Sequence, residues 1–172
     1  MFAVRTLLTG LFPRRHTTPE QPDYARGLAA LEAGDCEVAC AAFSEALARA
    51  VQTAEPTAQA RALNKRGVAH VRAGRRSEGL ADFEAALALR PRFAPSLVNR
   101  GNLQLEAGNV AEAIASYEAA LRGDDRYAPA YANLGVAYRK LGRYDESVRA
   151  LKKATRIELL EARATRGGLE RA

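Results

Sequence analysis

Two glycine columns recur through the chain at a fixed distance, and they constrain its fold more than any other feature. The first recurs as Gly67, Gly101 and Gly135, at intervals of 34 residues. The second follows seven residues later each time, as Gly74, Gly108 and Gly142. An aromatic residue or leucine comes nine residues after that, at Phe83, Tyr117 and Leu151, and a small residue three further on, at Ala86, Ala120 and Ala154. One more copy lies upstream, with Gly27, Gly34, Phe43 and Ala46, offset by 40 residues, so six residues are inserted between it and the next. Several phased columns over four copies point to stacked repeats.

Each copy reads as two amphipathic helices. In the last, Leu134, Ala137, Tyr138 and Leu141 fall at i, i+3, i+4 and i+7, one apolar stripe. Pro129 suits the first turn, and Gly142 supplies the left-handed residue that ends the helix. A second helix is expected from about Tyr144, with Asp145 and Glu146 in its first turn and a stripe of Val148, Leu151, Ala154 and Ile157. The interior glycine costs about 1 kcal/mol of helix propensity relative to alanine. A cost accepted in four copies implies a shared packing reason, a close approach of the two helices where no side chain fits. So small a helix pair cannot bury its own stripe, and neighbouring pairs must stack.

These residues resemble the tetratricopeptide repeat. Its large residue, Leu-Gly and Tyr appear as Tyr131, Leu134-Gly135 and Tyr138, its Ala-x-x-x-Phe as Ala39 and Phe43, and that Phe again with the closing Pro as Phe83 and Pro91. Arg26, Arg66 and Arg100 depart from it before the glycine, as do Gly79 and Ser147 at the small-residue column. The resemblance implies an all-α, right-handed solenoid of about four helix-turn-helix units: 20–53, 60–93, 94–127 and 128–158. The insert near 54–59, with Pro56 at a first helical position, is expected to lengthen the flanking helices and splay them locally. Residues 159–172 are expected to extend the last helix to about Ala164, then fray after Gly167-Gly168.

The net charge of +6 does not belong to the repeats. Residues 1–19 carry three arginines and no acid, residues 152–172 six basic and three acidic side chains, and residues 20–151 seventeen of each sign. A body without net charge is a poor phosphate-backbone binder, and no nucleic acid is expected. Locally, residues 61–76 hold Arg61, Lys65, Arg66, Arg72, Arg75 and Arg76 without an acid. This is either a solvated face or a patch for an acidic partner.

Nothing in the sequence recommends an enzyme or a cofactor. No nucleophile elbow, phosphate loop or HExxH motif is present. Cys36 and Cys40 sit in packing columns and read as small hydrophobes, and neither His16 nor His70 shares ligand-like spacing with them. The resemblance instead implies a protein-binding adaptor whose first helices line a concave groove. The residues at its groove positions include Arg61, Asn64, Lys65 and Arg72, then Asn99 and Asn102, then Asn133, Arg139 and Lys140. Asn99 and Asn133 share a column, and an amide that both donates and accepts can pair with the backbone of an extended peptide. The same amides can equally serve local backbone groups. The expected partner is a protein or peptide, with acidic chemistry as one option.

The tails leave alternatives open. Residues 1–19 are amphipathic, arginine-bearing and free of acid. They resemble an organellar transit peptide, and a docked arm or a membrane-surface helix fits the same pattern. A cytoplasmic location is expected otherwise. An assembly factor targeted to a membrane or an organelle, such as the mitochondrion, by this arm is the alternative function. Ile157, Leu159 and Leu160 suggest that the C-terminal end covers the last repeat or pairs with a second copy to form a homo-oligomer.

Overall fold

In the computed structural model, which describes residues 22–169, eight helices follow one another with no strand among the described residues. They are α1 (Pro22–Ala33), α2 (Cys36–Gln52), α3 (Pro56–Arg72), α4 (Arg76–Leu89), α5 (Ala94–Glu106), α6 (Val110–Gly123), α7 (Ala128–Lys140) and α8 (Tyr144–Leu169). They form four hairpins stacked in chain order into an α-solenoid. Gly34, Gly74, Gly108 and Gly142 take φ between 74° and 87° just after α1, α3, α5 and α7. That left-handed backbone turns the chain sharply into the second helix of each pair. Pro56, Pro95 and Pro129 occupy the first turns of α3, α5 and α7.

The interior glycines sit where the two helices of a hairpin meet. A Cβ on Gly27 would lie 2.6 Å from Phe43, and one on Gly67 2.6 Å from Phe83. On Gly101 it would lie 2.5 Å from Tyr117, and on Gly135 2.6 Å from Leu151. Each large side chain of the second helix lies flat on the bare backbone of the first. The departures at the small-residue column have local reasons. Gly79 faces Val71 and the carbonyl of Gly67, with no room for a methyl group. Ser147 donates its hydroxyl to the Gly135 carbonyl at 2.7 Å.

The three arginines that stand where the repeat pattern has leucine reach across to the second helix. Arg66 grips buried Asp82 with two bonds, at 2.9 and 2.6 Å, and this hydrogen bonding raises its pKa further. Arg100 donates to Ser116, and Arg26 to Glu45. In the last hairpin the same two columns hold Leu134 and Ala150, both buried.

The insert leaves α2 and α3 at 17 residues each, against 13 or 14 for α4 to α7. These longer helices do not splay; they pack on each other more extensively than α4 on α5 or α6 on α7. The apolar core falls into two main parts. One, around Phe43, joins α1, α2 and α3; the other, around Tyr117 and Leu134, runs from α4 to α8. A small cluster of Ala60, Leu63 and Ala86 bridges them.

The last helix departs from expectation twice. It continues through Gly167 and Gly168 to Leu169 rather than ending near Ala164. Its buried face is Ser147, Ala150, Ala154 and Ile157, while Val148 and Leu151 are 49% and 41% exposed. In earlier hairpins the residue equivalent to Val148, such as Ile114, is packed against the core, and no described helix follows α8 to do the same. The basic segment 1–19 lies outside the described residues.

Candidate functional site

One face of α3 carries Arg61, Lys65, Val68 and Arg72 at successive four- and three-residue steps. Beside it, between α3 and α5, lies an open depression of about 180 Å³. Val68, Val71, Arg72, Phe83, Asn99, Asn102, Leu103 and Glu106 line it. Three of the residues expected to line a groove, Arg72, Asn99 and Asn102, therefore meet at one place. Arg139 and Lys140 are exposed in the last turn of α7 and do not line it.

The asparagines are organised differently from the expected free column. Asn99 donates its Nδ2–H to Asn64 Oδ1 at 2.9 Å, and Asn133 donates likewise to Asn102 Oδ1 at 2.9 Å. Each pair ties the first helix of one hairpin to that of the next. Asn64 is only 5% exposed and also accepts from Ser96 at 3.0 Å, so it supports the groove from below and does not line it. Asn99, Asn102 and Asn133 are half-buried. Among the described residues the Oδ1 atoms of Asn99 and Asn133 accept no hydrogen bond. Each of these amides retains an acceptor and a second N–H for a ligand.

Tyr117 belongs to this arrangement, and its place in a packing column concealed the role. Its ring is fully buried and its hydroxyl donates to Asn102 Oδ1 at 2.9 Å. In the preceding hairpin the two columns hold Phe83 and Val68, so hydroxyl and amide are absent together. That co-occurrence within one chain was the available signal.

The basic patch 61–76 divides in two. Arg66 is held by Asp82, Arg75 by Glu37 and Glu78, and Arg76 by Glu106 at 2.5 Å. Arg61, Lys65 and Arg72 have no carboxylate within 4.0 Å among the described residues. Arg61 lies over the Tyr24 ring at 4.9 Å, and Arg72 donates to the Leu31 carbonyl at 3.0 Å. These contacts hold the two guanidinium groups in place without neutralising them.

A second cluster invites a chemical reading. Cys40 Sγ is 3.7 Å from His70 Nδ1, and His70 Nε2 is 3.7 Å from Asp82. Thirty residues of sequence separation had hidden this neighbourhood. It is not a nucleophile–base–acid series, because Arg75 donates to His70 Nδ1 at 3.0 Å and to Cys40 Sγ at 3.3 Å. The lone pair that would take the thiol proton is already occupied, and burial pushes the Cys40 thiol up. Among the described residues no three His, Cys, Asp or Glu side chains are grouped to hold a metal ion.

Two family models match, both described as tetratricopeptide repeat, over residues 24–92 and 93–157. A solved structure described as MamA is 23% identical with a TM-score of 0.64, covering 82% of this chain and 79% of that one. A tetratricopeptide repeat protein from Parabacteroides merdae is 21% identical with a TM-score of 0.60, covering 76% of this chain and 50% of that one. MamA from residue 41 to its end, from Desulfovibrio magneticus RS-1, is 21% identical with a TM-score of 0.59, covering 78% and 73%. No curated protein matches the sequence. At these identities the structural likeness extends to the fold.

Proposed function

Because this chain belongs to the tetratricopeptide repeat family, we infer that it works as a protein-interaction scaffold and not as a catalyst, and that its groove takes an extended acidic segment of a partner protein. One observation carries the acidic preference. Of six cations between residues 61 and 76, three are neutralised inside the fold, and Arg61, Lys65 and Arg72 are left along one face of α3. A repeat body balanced in charge offers acids in plenty, so these three are exposed to a partner's carboxylates by placement. The half-buried amides of Asn99 and Asn133 lie one and two hairpins further along, and their spare donors and acceptors suit a peptide backbone.

The test is fluorescence anisotropy with labelled glutamate-rich and lysine-rich peptides of equal length. The acidic peptide binds, and the basic one does not. Reversing Arg61, Lys65 and Arg72 to Glu weakens binding by at least about tenfold, as expected for charge pairs in a groove. Arg122→Glu, an exposed change on α6, leaves it unaltered. Equal affinity of the two peptides, or of the groove variant and wild type, would sink the proposal.

A further inference from the structure

The exposed half of α8 has a composition found on no other described helix. Val148, Leu151, Leu159 and Leu160 are 41% to 59% exposed there. Arg149, Lys152, Arg156 and Arg163 are interspersed among them and equally open. The acids of this stretch, Glu158 and Glu161, are exposed too, but at about 100° per residue they leave the helix on the flank of Leu151 and buried Ala154, away from Lys152, Arg156 and Arg163. The arc opposite Ala154, through Val148, Lys152, Arg156, Leu159, Leu160 and Arg163, therefore presents apolar and cationic side chains and no acid. Along its edge an open depression of about 470 Å³ adds Arg126, from the turn before α7, to Lys152, Lys153 and Arg156. Lys153 lies over Tyr131 at 4.5 Å. Among the described residues Arg126, Lys152 and Arg156 have no carboxylate within 4.0 Å; Asp125 is the single acid at the depression.

We propose that this face of α8 docks on an anionic phospholipid surface. Charge decides against a second copy: an isologous pair would press two acid-free basic faces together. Shape decides against an acidic helix. Such a partner seats between two walls, and this face has a wall on one edge only, the turn that holds Arg126, with leucines and cations mixed along the open helix. A bilayer interface asks for that mixture, with leucines at the acyl boundary and Lys and Arg at the phosphates. No helix among the described residues is long and apolar enough to cross a membrane. The attachment is peripheral, and it leaves the α3–α5 groove open.

The experiment is co-sedimentation of the full chain with two kinds of vesicle, phosphatidylcholine alone and phosphatidylcholine mixed with phosphatidylserine. Wild type sediments with the second only, and added salt releases it. The Lys152→Glu, Arg156→Glu, Arg163→Glu variant, checked for unchanged helicity, loses binding on the order of a hundredfold. Leu159→Ser with Leu160→Ser loses it as well while keeping every charge. Four results each overturn the proposal. Wild type fails to bind anionic vesicles. The charge variant binds as wild type does, which assigns binding to the unchanged N-terminal segment. A soluble polyglutamate peptide competes fully for the same residues, which assigns the face to an acidic protein. Sedimentation equilibrium shows a dimer that the charge variant dissociates.

Discussion

Tyr117 lays its ring on Gly101 and brings a single polar atom into the core, satisfied by Asn102 at 2.9 Å. Burial first, and the charge of Glu106 second, push its pKa up to about 12. An exposed tyrosine titrates near about 10, so the fold favours the neutral hydroxyl. The stability that Tyr117 contributes is therefore complete below about pH 10 and is lost as pH climbs toward 12. Tyr117→Phe costs about 1 kcal/mol at neutral pH through the lost bond. It also flattens the alkaline decline, leaving the part due to Tyr127 and Tyr138, whose pKa values burial raises too. Urea midpoints at neutral and alkaline pH measure both effects. An alkaline slope identical in wild type and variant contradicts the assignment. The sequence signalled this only by losing hydroxyl and amide together at Phe83 and Val68; taken alone, Tyr117 and Phe83 read as alternatives in one packing column. A hydroxyl's partner depends on which helix lies across from it.

At the scale of the element, each hairpin holds a matched pair on its two helices. Arg66 faces Asp82, Arg100 faces Ser116, and Leu134 shares the last hairpin with Ala150 at the same columns. Asp82→Ala strands a partly buried guanidinium and costs about 3 kcal/mol. Adding Arg66→Leu copies the last hairpin's solution and recovers most of that loss, by thermal or chemical denaturation. If the double variant is no more stable than Asp82→Ala, the pair is not a unit. Helix identity, the glycine-ended turns and the tight glycine contacts were all legible from spacing, because a repeated backbone need leaves a repeated residue. The arginines were legible only as departures. The meaning of Arg66 and Arg100 rests on a residue sixteen positions away on the facing helix. The groove was half legible: the columns located Arg72, Asn99 and Asn102, while the amide pairs between hairpins required the stacking geometry.

Across the whole molecule, stability is distributed along a line. The core around Tyr117 and Leu134 spans α4 to α8, that around Phe43 spans α1 to α3, and the bridge between them is small. Amide hydrogen exchange is expected to be slowest in the inner helices α3 to α6, which have packed neighbours on both sides, and fastest in the last turns of α8. Uniform protection from α1 to α8 would contradict a linear arrangement. The interior glycine and the ring that covers it belong to one hairpin, as do Arg66 and Asp82, whereas the amide pairs and the ion pairs of Arg75 with Glu37 and Arg76 with Glu106 cross between hairpins. A hairpin is thus the smallest piece that carries both lock and key. Transplanting one whole into a foreign array moves a finished joint, while transplanting a single helix sets glycine against the wrong ring, or arginine against no acid. The chain's natural unit of duplication and exchange is the pair.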